Sequence, residues 1–262
     1  MYEKIRTHEF PDLDAILCIL LLWLFGESKF PGISRAKLDF VSAADGFDQA
    51  NPSNSNVIAV DIEGGQFDHH DGEKSSKCSA ILVAEYLGVN KDPSLTKILD
   101  TVNLSDTTGK ISGIRIEANV LLFTLFEILR GWYVLHGGDH ALTVTKTIDC
   151  LKAMIASEKE WLQAMIDAEK AIKIEGVVLK VLAISSDSKA AMKAGRMAGG
   201  NVVIVANPNG NVGINGTTNQ AWREPNLTVT AAILRLVTAE AAGIAPDYEQ
   251  LFDCGTNCGW FL

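Results

Sequence analysis

The run Ile16-Leu17-Cys18-Ile19-Leu20-Leu21-Leu22-Trp23-Leu24-Phe25 carries no charge and no polar face. It is far shorter than the about 20 residues a bilayer requires. As a helix it is apolar nearly all round, so it is expected to lie buried between a sheet and another layer. The segments around it read accordingly. Residues 2–7 alternate weakly and end at His8, as a strand delivering a side chain at its carboxyl edge would. Pro11-Asp12 makes a turn, and Asp14 falls at the N-cap or first turn of the apolar helix. A second strand is expected over 38–42. Residues 56–61 form the clearest strand, and their continuous apolar character suits a central parallel strand covered on both faces. Residues 66–68 make a short strand, and helices are expected over 79–87, 94–104 and 116–129.

His136-Gly137-Gly138 breaks this pattern. Asp139 is expected to cap a long helix reaching about residue 174, with Leu142, Ile148, Leu151, Ile155, Leu162, Met165 and Ile166 at helical spacing. A strand at 177–184, a helix at 188–197 and a hairpin around Asn207-Pro208-Asn209-Gly210 follow. A last helix is expected over 228–242. The alternation predicts an α/β chain. It would comprise a parallel-sheet N-terminal domain (1–135), a long linker helix (136–175) and a smaller α/β C-terminal domain (176–262).

The chemistry concentrates in two strings. His8-Glu9-Phe10-Pro11-Asp12-Leu13-Asp14 and Asp68-His69-His70 hold three of the five histidines, and Asp61 stands seven residues before Asp68. Imidazoles mixed with carboxylates suit a pair of divalent transition metals, Mn²⁺ above all, with Mg²⁺ or Co²⁺ as substitutes. Two such ions clamp a phosphoryl group, and a water shared between them loses a proton near neutral pH to become the nucleophile. In parallel α/β sheets ligands gather outside the carboxyl ends of the strands. His8, Asp61 and Asp68 all fall at such ends. A further carboxylate is expected from Asp106, read as sitting in a polar turn after a helix, with Asp100 as the fallback.

The strings His8-x-x-x-Asp12-x-Asp14-Ala15, Asp61, Asp68-His69-His70 and Ser105-Asp106-Thr107-Thr108-Gly109 resemble the four motifs of the DHH phosphoesterase superfamily. The match covers residues 1 to about 130. The close spacing in Val60-Asp61-Ile62-Glu63-Gly64-Gly65-Gln66-Phe67-Asp68-His69-His70, the following Ser75-Ser76-Lys77-Cys78-Ser79-Ala80 and the long helix with Glu160-Trp161 are similar to its Myg-type exonuclease branch. Phe10-Pro11-Asp12 instead follows the general superfamily form, and the Gly-Gly-Gly-His string common in the family's substrate domain is absent. The resemblance implies that His8 and Asp12 bind one metal, Asp14, His69 and Asp106 the other, and that Asp61 bridges them. It further implies that His70 faces the phosphoryl group and that Asp68 orients His69.

Substrate contacts are expected from Arg196, Gly199, Gly200, Trp222 and Arg223. Arginine can grip phosphate through paired hydrogen bonds, glycine lets backbone amides approach, and tryptophan can stack on a base. Lys110 and Arg115 are further candidates. His136 and His140, flanking a Gly-Gly turn, read as a solvated turn before a helix rather than a second metal site.

The net charge of −9 argues against a broad grip on duplex DNA or an anionic membrane, but leaves a short nucleic-acid substrate open. The five cysteines are odd in number and scattered, and no signal peptide is read, so a reducing, cytoplasmic setting is expected. Cys254 and Cys258 lack the partners of a structural zinc site. The leading expectation is a two-metal, Mn²⁺-dependent phosphodiesterase acting on short RNA or DNA or dinucleotides, with a homodimer left open. The alternatives are a phosphoanhydride hydrolase, such as a pyrophosphatase or exopolyphosphatase, and a catalytically silent nucleotide-binding module.

Overall fold

A computed structural model describes residues 1–42, 56–62, 64–70, 76–113, 115–175 and 180–216. The chain divides into two compact units, residues 1–158 and 159–262.

The first unit opens with β1 (Lys4–His8), α1 (Leu13–Phe25), a short 3-10 turn (Ile33–Arg35), β2 (Lys37–Val41) and β3 (Val57–Ala59). All three strands are parallel, in the order β2-β1-β3. The chain thus leaves the central β1 toward one side and later returns to its other side. The point where strand order reverses opens a crevice at the strands' carboxyl ends. His8 closes β1 and Asp61 follows β3, so both stand at that crevice.

The apolar helix meets its expectation. Residues 13–22 of α1 are all buried, and they pack with Ile5, Ile58 and Val60 of the sheet. At about 1.5–3 kcal/mol per buried Leu or Ile side chain, this one helix supplies much of the unit's driving force. Its start is set by Asp12, whose Oδ1 accepts from the amides of Asp14 and Ala15 at 2.8 and 3.1 Å. Asp14 therefore lies in the first turn. α2 (Ser79–Leu87) and α3 (Pro93–Thr108) complete the layer around α1. Arg6 and Asp39, opposite one another in the β1–β2 register, form an ion pair at 2.7 Å.

Several elements depart from expectation. The strand expected over 56–61 spans three residues and, among the described residues, is not flanked by strands on both sides. Beyond it lies one parallel bridge, Val60 to Phe67, because Asp61 turns away with a positive φ of 51°. The helix expected to stop near residue 104 runs to Thr108. Thr107 and Thr108 return their hydroxyls to the carbonyls of Asn103 and Leu104, and Gly109 ends the helix in the left-handed conformation. The helix expected over 116–129 is broken into α4 (Ala118–Leu121) and α5 (Leu125–Leu135), with Thr124 capping the second.

Asp139 accepts from the amide of Leu142 at the start of α6 (His140–Glu169), as its position suggested. The helix is more than a spacer. Val144, Ile148, Leu151 and Ile155 belong to the first core, whereas Ala164 and Ala168 belong to the second. It ends five residues earlier than expected, and Ile174 lies instead in β4 (Ile172–Glu175).

The second unit continues with β5 (Lys180–Ser185), α7 (Ala191–Met197), β6 (Val202–Ala206) and β7 (Val212–Gly216). Its sheet runs β4-β5-β6-β7. The β5–β6 pair is parallel across α7, and the two outer pairs are antiparallel. The expected β6–β7 hairpin is present. Trp222, Arg223 and the helix expected over 228–242 lie outside the described residues. Among the described residues no helix is long and apolar enough to cross a membrane.

α7 closes on its sheet through Gly195, where an added Cβ would meet Val203 Cγ1 at 2.5 Å and Ile184 Cδ1 at 2.7 Å. Gly195→Ala should therefore destabilise the second unit by about 1–3 kcal/mol through overpacking. Urea denaturation followed by circular dichroism reads this as an earlier transition. An unmoved midpoint would mean that the helix shifts freely at that point.

Candidate metal centre

Six backbone segments deliver side chains to one place. β1 ends at His8, the turn before α1 carries Asp12, and the first turn of α1 carries Asp14. Asp61 follows β3, His69 and His70 follow the Phe67 bridge, and the last turn of α3 carries Asp106. Three sets of potential ligand atoms result: His8, Asp12 and Asp61; Asp14, His69 and Asp106; and Asp61, His69 and His70. Within each set all the atoms lie within 4.8 Å of one another. Asp106, expected in a polar turn after a helix, lies within α3. Its helical position instead fixes it at the end of a rigid rod. Asp100, on the exposed side of α3, joins none of the three sets.

Asp61 is the shared member. Its side chain is 4% exposed, with Oδ2 3.3 Å from His8 Nε2 and Oδ1 3.1 Å from His69 Nε2. Ser79 Oγ donates to Oδ1 at 3.1 Å. The backbone there has a positive φ, which aspartate tolerates better than most residues but which still costs of order 1 kcal/mol. His69 Nε2 also stands 3.8 Å from Asp14 Oδ2 and 3.5 Å from Asp106 Oδ2.

Asp14 is held hardest of all. Its Oδ2 accepts from the amide of Ser79 and its Oδ1 from that of Ala80, both at 2.8 Å, at the N-terminal end of α2. The positive end of a helix suits a carboxylate. Each oxygen keeps a second lone pair for a further partner.

The donor set fits divalent cations on three observations. Among the described residues, His69 Nε2 and Asp106 Oδ2 are buried without a properly aligned hydrogen bond, although carboxylate oxygens lie close to the imidazole. Short distances with poor alignment suit atoms arranged around a common centre rather than bonded to each other. His8 Nδ1–H donates to the Glu9 carbonyl at 2.8 Å, so Nε2, 3.3 Å from Asp61 Oδ2, is the nitrogen that would serve as a ligand once deprotonated. Finally, four carboxylates share the site, and their mutual repulsion asks for positive charge.

The ionisation of the site records that demand. Burial and the neighbouring Asp61 push Asp14 up to about 7. Desolvation and then Asp61 raise Asp12 too, although the residue as a whole is exposed. Burial, then Asp61, likewise raises Asp106, against the pull of His69. Burial opposes the charging of His8, but contact with Asp61 and with the Glu9 carbonyl lifts it to about 9. Asp61 also lifts His69 to about 9. Burial alone would raise Asp61, yet His69 and His8 hold it well below the usual carboxylate range.

His70 lies at the open edge, its side chain 56% exposed and its Nδ1 3.9 Å from Asp61 Oδ1. Asp68 does not meet His69 as the resemblance implied. It turns back on its own segment, accepting from the His70 amide at 2.8 Å and standing 3.2 Å from His70 Nδ1. Two-residue spacing favours this Asx-type turn over a reach to the next side chain. His136 and His140 join none of the three sets; the His140 ring packs against Phe10 and Phe40.

In the second unit Arg196 is exposed on α7. Gly199 and Gly200 terminate α7, their amides donating to the carbonyls of Arg196 and Gly195 at 3.0 Å each. Those amides are therefore taken by the turn and do not form the expected phosphate cradle.

Three residues that support the site were not singled out from sequence. Ser79 bonds to Asp61, and Asn103 holds the α2 start by accepting from the Cys78 amide at 2.8 Å. Tyr133 donates its hydroxyl to the Pro11 carbonyl at 2.6 Å. A serine opening a helix and an asparagine inside one are weak local signals. The Tyr133 contact crosses 122 residues and leaves no local trace.

The raised groups set a pH dependence. Between its ordinary 3.8 and about 7, Asp14 holds its proton in the native state and loses it in the unfolded chain. His8 and His69 do the same between 6.5 and about 9. The native state binds more protons over both intervals, so stability must fall as pH rises. The lowered Asp61 acts oppositely, but only in strong acid. In a chelator, the melting temperature should therefore decline from pH 5 to pH 9. Saturating Mn²⁺ should restore it by an amount that grows with pH, because ligands bind metal deprotonated. A flat profile, with no Mn²⁺ effect, would contradict the assignment.

No family model matches the chain, and no curated protein matches it.

Proposed function

We propose that the chain is a two-metal phosphodiesterase, using Mn²⁺ to hydrolyse short oligonucleotides or dinucleotides, on the pattern of the DHH phosphoesterases that its motifs resemble. The observation that carries this reading is Asp61, buried with one oxygen toward His8 and the other toward His69. A carboxylate so placed between two ligand sets suits a bridge between two cations. In this reading His8 and Asp12 hold one ion, Asp14, His69 and Asp106 the other, and Asp61 both. When bound, such ions activate water near neutral pH and stabilise charge on phosphoryl oxygens.

The chain's own residues supply orientation. Asp12 is preset by capping α1 through Oδ1, which leaves Oδ2 for a ligand role. The Ser79 and Ala80 amides fix the plane of the Asp14 carboxylate, and Ser79 Oγ holds Asp61. His70, exposed and steadied by Asp68, is the proton donor or phosphoryl contact at the open edge. Of the substrate contacts assigned to the second unit, Arg196 is the described residue whose side chain is exposed and has no partner among the described residues.

Release of mononucleotides from RNA dinucleotides in Mn²⁺ should be readily detected in the native protein. It should be lost in Asp61→Ala together with Mn²⁺ binding measured by calorimetry. Ser79→Ala should keep the fold and lower metal affinity by about 10-fold or more. Full hydrolysis by Asp61→Ala would overturn the reading. So would phosphate release confined to pyrophosphate, which would move the activity to phosphoanhydrides.

A further inference from the structure

We propose that Phe10 is a stacking platform for a nucleobase, so that the candidate metal centre takes a nucleotide with its phosphate on the metals and its base on this ring. The inference rests on the metal-centre reading above and names its substrate class.

Phe10 stands at the apex of the turn whose two ends carry His8 and Asp12. One residue separates it from each, so its Cα lies within about 7 Å of theirs. Its backbone is left-handed, with φ of 54°. Glycine, asparagine and aspartate accept that conformation readily, whereas a bulky aromatic residue is strained there. A turn needed only for its shape would be better served by one of those three. Strain kept beside a reactive centre points toward use.

Phe10 is also 56% exposed as a residue, an unfavourable place for a large apolar side chain. It is nonetheless held in place. Tyr133 meets it edge-on with centroids 5.4 Å apart and planes at 64°, and His140 at 4.5 Å and 73°. Tyr133 is itself anchored to the next residue of the turn, through the Pro11 carbonyl. Edge contacts of this kind fix a ring while leaving much of its surface to solvent. A fixed, exposed aromatic surface gives up little freedom when a base stacks on it, and every base offers a π-face. Pyrophosphate or polyphosphate would find no use for it.

Binding of AMP and of ribose 5-phosphate, which lacks the base, to the Mn²⁺-loaded protein tests this directly by calorimetry. The native protein should bind AMP about 10-fold more tightly than ribose 5-phosphate. Phe10→Asn suits the backbone and removes the ring. It should lose that preference while retaining Mn²⁺ binding and its affinity for ribose 5-phosphate. Phe10→Leu keeps apolar contact with Tyr133 and His140 but has no π-face, and it should lose the preference too, which guards against a folding defect in the first variant. Phe10→Trp should keep it. Equal affinity for the two ligands in the native protein, or a preference that survives in both Phe10→Asn and Phe10→Leu, would overturn the platform. If dinucleotides were still hydrolysed in Mn²⁺, the metal-centre reading would stand without it. Failure of the Mn²⁺-loaded protein to bind either ligand or to hydrolyse any dinucleotide would overturn both.

Discussion

Asp14 accepts two backbone amides from the start of α2 while sitting in the first turn of α1. A carboxylate without water is tolerable only where hydrogen-bond donors and positive potential replace it, and a helix N-terminus supplies both. The contact therefore locks two helices at one distance and one angle. It also fixes where the apolar body of α1 meets the sheet, since Asp14 leads directly into the buried residues 15–22. Once α1 is set, β1 and the loop after β3 have one way to approach it. Fold and site in the first unit are thus consequences of the same few hydrogen bonds.

Much of the first unit was legible in the sequence because its signals are local. The all-round apolar character of α1, the bounds of α2 and the strand ending at His8 follow from pattern and capping alone. The failures have equally local causes. β3 looks longer than it is because the apolar run 57–60 continues past the last ladder residue, and the change of direction at Asp61 is a backbone property with no compositional mark. α3 runs past its expected end because Thr107 and Thr108, weak helix formers, bond back to the preceding turn. β4 was read as helix because Ile172 and Ile174 continue an apolar series from the long helix before them.

The candidate ligand types were readable because histidine and aspartate at the ends of elements are poor packing residues. Their hydrogen-bond partners were less so. Asp68 was expected on His69 and sits on His70, while Ser79, Asn103 and Tyr133 act across distances that no local window spans. In the second unit the glycine pair was read for chemistry, whereas its amides are spent on ending a helix. A glycine pair marks a turn long before it marks a ligand.

Asp12 links structure and chemistry in one carboxylate, with one oxygen closing the helix and the other left over. An ion arriving there would meet a side chain whose rotamer is already chosen, so little freedom is lost in recruiting it. The same economy limits how this chain can drift over evolutionary time. A substitution that silenced the position chemically would also unseat the N-terminus of the most deeply buried helix. On the proposed function, loss of metal binding and loss of fold would then tend to arrive together, and a well-folded descendant without the proposed site would be hard to reach through this residue.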